Sequence, residues 1–330
     1  MSKKNFVLLC VIGLLAGCGG PSYRSETGTI YGTIYHITYE STDDYALDIR
    51  REMERVNQSL SMFNPRSVVA RWNRGETEVV DTLFLEMWAK AREVHDVSGG
   101  AFDVTVAPLV NAWGFGTEGK QMPEPGEVDS LLSIVGMDKV VQEGDRLVKT
   151  VPGVQIDASS IAKGLGVDLV AEFFDRHGVA NYMIEIGGEI RVRGKSAKDR
   201  PWRIGIDKPV DDSTALSRQL QTILELTGGS LATSGNYRRY YVVDGKKYAH
   251  TIDPKTGRPV QRDIVGASVY APTCMEADAY ATAFMVLGME EARRVVRELP
   301  AVEACLIYVT PEGKMDVWMS VGIRKLVLEE

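Results

Sequence analysis

The sequence predicts an α+β fold. Helical and strand-like stretches follow one another without the regular βαβ rhythm that builds parallel sheets, and no internal repeat divides the chain. Composition agrees with a secreted globular protein, since 44% of residues are hydrophobic and 25% charged, ordinary proportions for a chain that buries a full core. No low-complexity linker interrupts residues 26–330, which are read as one unit of at most two lobes.

Residues 1–17 are read as an address rather than part of the fold. Lys3 and Lys4 precede an apolar run from Phe6 to Leu15, too short to span a bilayer, that ends in Leu15-Ala16-Gly17-Cys18. This ending resembles the lipobox at which bacterial signal peptidases cut before a cysteine that carries the lipid. Cys18 is then the mature N-terminus, its acyl chains anchor a domain to a membrane surface, and residues 18–25 form a lipidated tether. Loss of the leader takes the formal charge from −7 to −9, and an acidic surface argues against nucleic-acid binding. Cys10 leaves with the leader, so Cys274 and Cys305 remain for the folded domain. They are read as two small buried residues, with a disulfide formed outside the cytoplasm as the other reading.

Along the chain, Thr29 to Tyr39 is strand-like. Ala46, Ile49, Met53, Val56 and Leu60 then recur at helical spacing and mark a core-facing stripe. A second helix runs from about Asp81 to Val97 and stops at Gly99-Gly100. Val154 to Ala158 reads as a strand feeding a helix from about Ser160 to His177, closed by Gly178. One hairpin spans Tyr182 to Val192 with its turn at Gly187-Gly188, and another spans Tyr240 to Ile252 around Asp244-Gly245. A short buried helix begins near Asp278, shows Ala279, Ala283, Val286 and Leu287 at helical spacing, and ends at Gly288. A charged helix from Glu290 to Leu299 and edge strands complete the chain.

The Asp278 helix carries the first functional signal. Asp278 and Thr282 share a helical face, so a carboxylate and a hydroxyl converge in what is expected to be the first turn, where amides and the dipole favour anions. Two hard oxygens beside an anion site suit Mg²⁺ bridging to a phosphate. Capping by Asp278 and back-bonding by Thr282 explain the same pair without a metal. A second signal is Ile156-Asp157-Ala158-Ser159-Ser160-Ile161-Ala162-Lys163-Gly164, a turn of small residues at a helix start with a lysine as point charge. It lacks the glycine spacing of a Walker loop. Polar or glycine-rich stretches also occur around Phe63, Phe102, Trp113-Gly114-Phe115-Gly116, Thr233 to Tyr237, and His250 to Pro259. Each has a structural explanation in caps, core aromatics or turns, and His250 reads equally well as a structural histidine.

Taken in order, these stretches carry a resemblance. Phe102-Asp103-Val104-Thr105-Val106-Ala107-Pro108, Trp113 to Gly116, Asp157 to Gly164, Glu185-Ile186-Gly187-Gly188-Glu189, Ala232-Thr233-Ser234-Gly235, His250-Thr251-Ile252-Asp253-Pro254 and Ala277-Asp278 to Thr282 resemble the ApbE family of FAD:protein FMN transferases. The likeness spans nearly all of the mature chain. It implies a T-fold-like α+β domain on the outer face of the cytoplasmic membrane, with Mg²⁺ as metal and FAD as substrate. FAD is split at its pyrophosphate, AMP leaves, and FMN is joined to a threonine or serine of an acceptor domain on a membrane redox protein. By position, the resemblance assigns metal ligation to Asp278, Thr282, a carbonyl near Ala281, and Ser160. It assigns FAD contacts to Tyr31, Phe63, Ala101, Phe102, Asp103, Asp157, Lys163 and the backbone near Ile252. Lys163 departs from family members that have a carboxylate there. A threonine hydroxyl needs a base within reach, and His250 or an acid near the metal, Asp278 among them, is available. Phe63, Phe102 and Tyr237 are the aromatic side chains expected to stack on a flat ring system. Two other readings compete: a hydrolase that cuts FAD to FMN and AMP, and a flavin-binding lipoprotein without catalysis.

Overall fold

In the computed structural model, residues 22–116, 122–209, 220–236, 240–243 and 245–328 are described, and they are organised by one antiparallel sheet. Its strands are β1 (Ser22–Ile30), β2 (Thr33–Ser41), β3 (Tyr182–Ile186), β4 (Glu189–Arg193), β5 (Gly228–Gly235), β6 (Ile264–Ala271), β7 (Glu303–Val309) and β8 (Met315–Met319). They lie side by side in chain order, each antiparallel to the next. The long helices are α1 (Ala46–Leu60), α2 (Thr82–Val97), α3 (Ala162–Arg176), α4 (Cys274–Leu287) and α5 (Met289–Glu298). The three between β2 and β3, and the two between β6 and β7, cover one face of the sheet. Helices gathered on one face of an antiparallel sheet are the α+β arrangement expected.

Strand alternation decides which side chain meets which layer. Ala232, Ala304 and Leu306 enter the core under the helices. Leu231 and Cys305, one residue away, enter a smaller core on the opposite face. That second face is covered by a hairpin of Trp202–Asp207 with Leu220–Leu226 and by a short helix, Val321–Leu326. α4 is buried nearly all round, with Ala277, Ala279, Ala281 and Ala283 fully enclosed. Its small residues let it sink between the sheet and its neighbouring helices, whereas α1 keeps the single stripe read from its spacing.

Several boundaries differ from the expectation, each for a local reason. Thr29–Tyr39 is not one strand but the close of a hairpin whose turn is Tyr31-Gly32, both at positive φ (52° and 74°), the geometry that matches strand twist. β1 reaches back to Ser22, so residues 22–25 belong to the sheet and not to a tether. Val154–Ala158 is extended but joins no sheet, making a single bridge from Gln155 to Val106. α3 starts at Ala162, after Ser160, and α4 starts at Cys274, capped by Thr273, which puts Asp278 in its second turn. Edge strands do not run to the end; the Val321–Leu326 helix follows β8. The two hairpins read at Gly187-Gly188 and Gly245 are present.

Cys274 and Cys305 are both buried free thiols, and burial pushes each thiol upward from its ordinary range, Cys305 to about 12. Among the described residues no helix is long and apolar enough to cross a membrane. Residues 1–21, including Cys18, together with Tyr237 and Asp244, lie outside the described residues.

Candidate active site

A cavity of about 430 Å³ opens where the starts of α3 and β4, the second turn of α4, the end of α1 and the loops at 101–106 and 250–254 converge. Its position follows from one close crossing. At Gly164 the backbone of α3 lies on the start of α4, so near that a Cβ there would stand 2.4 Å from the Cys274 carbonyl oxygen. Only glycine permits this approach. The crossing lets the Gly164 amide donate to Asp278 Oδ2 (3.1 Å) across 114 residues of chain.

The N-terminus of α4 is already satisfied. Asp168 of α3 accepts from the Cys274 and Met275 amides (2.9 and 2.8 Å) and from Arg191 (2.5 Å). The anion site expected beside Asp278 is therefore filled by the protein's own carboxylate, and Asp278 reaches the cavity from one turn further on.

There Asp278 meets a cation. Lys163 Nζ lies 2.6 Å from Glu189 Oε1 and 3.8 Å from Asp278 Oδ1, so the point charge read from sequence is paired with two carboxyl groups. Burial raises Asp278, with Lys163 and the Gly164 amide acting against the shift. Burial likewise pushes Glu189 up to about 7, with Lys163 opposing. For Lys163 burial disfavours the charge, but Asp278 and Glu189 overcome it and hold the ammonium above the usual lysine range. Two carboxyl groups thus face one ammonium, and Glu189 Oε2 has no hydrogen-bond partner. Thr282, on the Asp278 face of α4, shares a hydrogen bond with Ser234 of β5 (3.2 Å).

Loops set the rest of the wall. Asp157 Oδ1 accepts from the Ser159 amide (2.8 Å), and its own amide donates to the Val104 carbonyl (2.7 Å), tying the Ser160 turn to the 101–106 loop. Asp103 Oδ1 accepts from the Thr105 amide and hydroxyl (2.7 and 2.5 Å), and burial raises this carboxyl too. The Tyr31 hydroxyl donates to the Met53 carbonyl (2.6 Å), pinning its ring against α1. Phe63 is 73% exposed at the cavity. Phe102 is only 2% exposed and packs in the main core, so its ring is not the stacking surface expected.

His250 is presented by an aromatic stack. Trp113, fixed by its indole N–H donating to the Gly257 carbonyl (2.7 Å), stacks on Tyr248, which stacks on Tyr241, which stacks on Phe115, with centroids 5.6, 5.4 and 5.1 Å apart. The His250 ring meets Phe115 edge to face at 6.4 Å. Tyr241 and Tyr248 oppose each other across one hairpin, and that pairing is the signal from which sequence reading could have found the stack.

The structure thus brings Tyr31, Phe63, Ala101, Phe102, Asp103, Asp157, Ser160, Lys163, His250, Ile252, Asp278 and Thr282 to one cavity. Ala281 is fully buried in α4 and is not part of the cavity wall. Glu189, Ser234 and Thr251 line the cavity without having been assigned a role from sequence. Glu189 stood in the Gly187-Gly188-Glu189 motif, and the need of a half-buried lysine for a partner is the signal that would have pointed to it.

Among the described residues no group of three or more His, Cys, Asp or Glu side chains surrounds a metal position. The donors at Asp278 are instead one carboxylate and neighbouring hydroxyls, hard oxygens of the kind Mg²⁺ takes. A divalent cation fits these residues.

The sequence model of the ApbE family matches residues 31–306. An FAD:protein FMN transferase of Vibrio cholerae serotype O1 is 39% identical over 323 residues, which cover 94% of this chain and 95% of that one. The FAD:protein FMN transferase of Escherichia coli K12 is 33% identical over 100% of this chain and 99% of its own. Among solved structures, the flavin transferase ApbE from Vibrio cholerae superposes with a TM-score of 0.83 at 35% identity, covering 93% of this chain and 99% of that one. The apo flavinyl transferase ApbE of Pseudomonas stutzeri gives 0.80 at 30% identity, with 93% and 97% covered. With the family's sequence pattern, its relatives and its fold all extending over nearly the whole length, the chain belongs to the ApbE family.

Proposed function

We propose that this chain transfers FMN from FAD to a threonine or serine hydroxyl of an acceptor protein, releasing AMP. The observation that carries the reading is the joining, in one cavity, of a buried carboxylate–hydroxyl pair, a charged lysine and a histidine mounted on a rigid aromatic stack. The names of the family's relatives supply the substrate class.

In the proposed reaction the acceptor hydroxyl oxygen attacks the phosphorus on the riboflavin side of the pyrophosphate. The bond from that phosphorus to the bridging oxygen breaks, and AMP leaves with that oxygen and the electron pair. The acceptor's proton passes to His250, an imidazole lining the cavity, as general base. Mg²⁺, held by Asp278 and Thr282 with Ser160 nearby, would supply charge neutralisation at the pyrophosphate. Lys163 adds a permanent positive charge, and the Asp157–Ser160 turn at the same wall contacts the phosphates. Tyr31, Phe63 and the Ala101–Asp103 loop hold the remainder of FAD, with Phe63 as the exposed ring.

The test is the mass of an acceptor domain incubated with the chain, FAD and Mg²⁺. A gain equal to FMN, lost when the acceptor threonine is changed to alanine, is expected. If free FMN and AMP accumulate at one rate with or without acceptor and no mass is gained, the chain is a hydrolase. Intact FAD after incubation with Mg²⁺ points instead to a flavin carrier. His250→Ala is expected to slow transfer by about 100-fold or more while changing FAD affinity little, since loss of a general base removes roughly two or more decades of rate. Equal loss of binding and rate would remove His250 from the chemistry.

The Leu15–Cys18 sequence supports a lipid-anchored enzyme on the extracytoplasmic face of a membrane, where it meets acceptor domains of membrane redox proteins. Cys18→Ser is expected to move the chain from the membrane fraction to the soluble fraction with its activity retained. Unchanged fractionation of the Cys18→Ser chain would overturn the anchor.

A further inference from the structure

Glu189 lines the cavity, is 3% exposed, and leaves Oε2 without a hydrogen-bond partner. Its Oε1 takes Lys163 Nζ at 2.6 Å, while the same ammonium stands 3.8 Å from Asp278 Oδ1. The lysine is therefore in contact with one carboxylate and held short of the other. Attraction between Lys163 and Asp278 is strong at this depth, and an ammonium on a flexible stem swings readily to the nearest acceptor. Without the charge of Glu189, the resting arrangement becomes a closed Lys163–Asp278 pair. Such a pair occupies the carboxylate oxygen that a divalent cation needs.

We propose that Glu189 is a positioning residue that draws Lys163 off Asp278, keeping the carboxylate open to the cation and the ammonium available to phosphates. The proposal rests on reading Asp278 as a cation ligand. The backbone holds Glu189 to this task. It opens β4 opposite Ile186, directly after the Gly187-Gly188 turn, where φ is 65° and 104°. A Cβ on Gly187 would stand 2.7 Å from Thr33 Cγ2, so the turn packs closely on β2.

The test is Mn²⁺ binding by the full chain without FAD, followed through the paramagnetic signal of the free ion. Glu189→Gln, which keeps the shape and removes the charge, is expected to weaken binding about tenfold or more, the scale on which a closed buried ion pair competes. Adding Lys163→Met to that chain is expected to restore binding to within about threefold of the native value, because the competing cation is gone. Native affinity in Glu189→Gln overturns the proposal. So does a weakened Glu189→Gln that Lys163→Met fails to rescue, since Glu189 then acts on the cation or the fold directly. Should Glu189→Gln not fold, Lys163→Met alone decides: it is expected to bind Mn²⁺ at least as tightly as the native chain, and weaker binding overturns the proposal. Asp278→Ala separates the two readings, for if it binds Mn²⁺ like the native chain, or if the native chain binds none, the ligand role of Asp278 fails and the proposal with it.

Discussion

Asp278→Asn is expected to abolish FMN transfer, by about a thousandfold or more, in a chain that remains folded. The carboxylate is buried beside Thr282 and is the acidic donor of the candidate cation site, and Lewis-acid stabilisation of a transferring phosphoryl group amounts to several kcal/mol. Asparagine keeps an oxygen for the Gly164 amide, so the crossing of α3 and α4 survives. It also removes one of two carboxylates that face a single ammonium, so stability need not fall. The discriminating measurement is the melting temperature with and without Mg²⁺. A ligand at 100 times its dissociation constant stabilises the folded state by about 2.7 kcal/mol. The native chain should therefore melt higher in Mg²⁺ and the variant should not. Native turnover by Asp278→Asn at limiting Mg²⁺ would sink the metal assignment.

The second large effect is expected at Gly164. Its missing Cβ would stand 2.4 Å from the Cys274 carbonyl oxygen and 2.7 Å from Met275 Cα, both backbone atoms that cannot step aside by changing rotamer. Gly164→Ala must therefore separate α3 from α4, and overpacking of this kind costs about 3 kcal/mol, or a fall of roughly 5 °C in melting temperature. Lys163 adjoins the crossing and Asp278 hydrogen-bonds to it, so transfer should fall further than the folded fraction does. A Gly164→Ala chain that melts within about 1 °C of the native one would mean that the two helices are not packed backbone to backbone.

Local pattern carried much of this fold. The stripe Ile49, Met53, Val56 and Leu60 repeats at helical spacing because one face of α1 is buried, and it placed that helix within the chain. Gly187-Gly188 and Gly245 marked hairpins because positive φ is demanded there and few residues adopt it. The residues of the cavity were legible as well, since polar and glycine-rich stretches stood where core elements would not place them, and a family resemblance ordered them.

The sequence by itself determined the α+β class, the two hairpins, the core face of α1, the span of α2 and the membership of the cavity in Asp157, Lys163, His250, Asp278 and Thr282. Only the tertiary structure decided who pairs with whom. That Asp168 satisfies the start of α4, that Asp278 lies a turn further on, that Lys163 is held by Glu189 and that Phe102 is core all depend on contacts between distant segments. Periodicity reports whether a side chain is buried, because burial repeats with the local backbone. It carries no information about which distant charge lies opposite, and the Gly164–Asp278 bond, spanning 114 residues, is set by how closely two helices approach where one of them has no side chain.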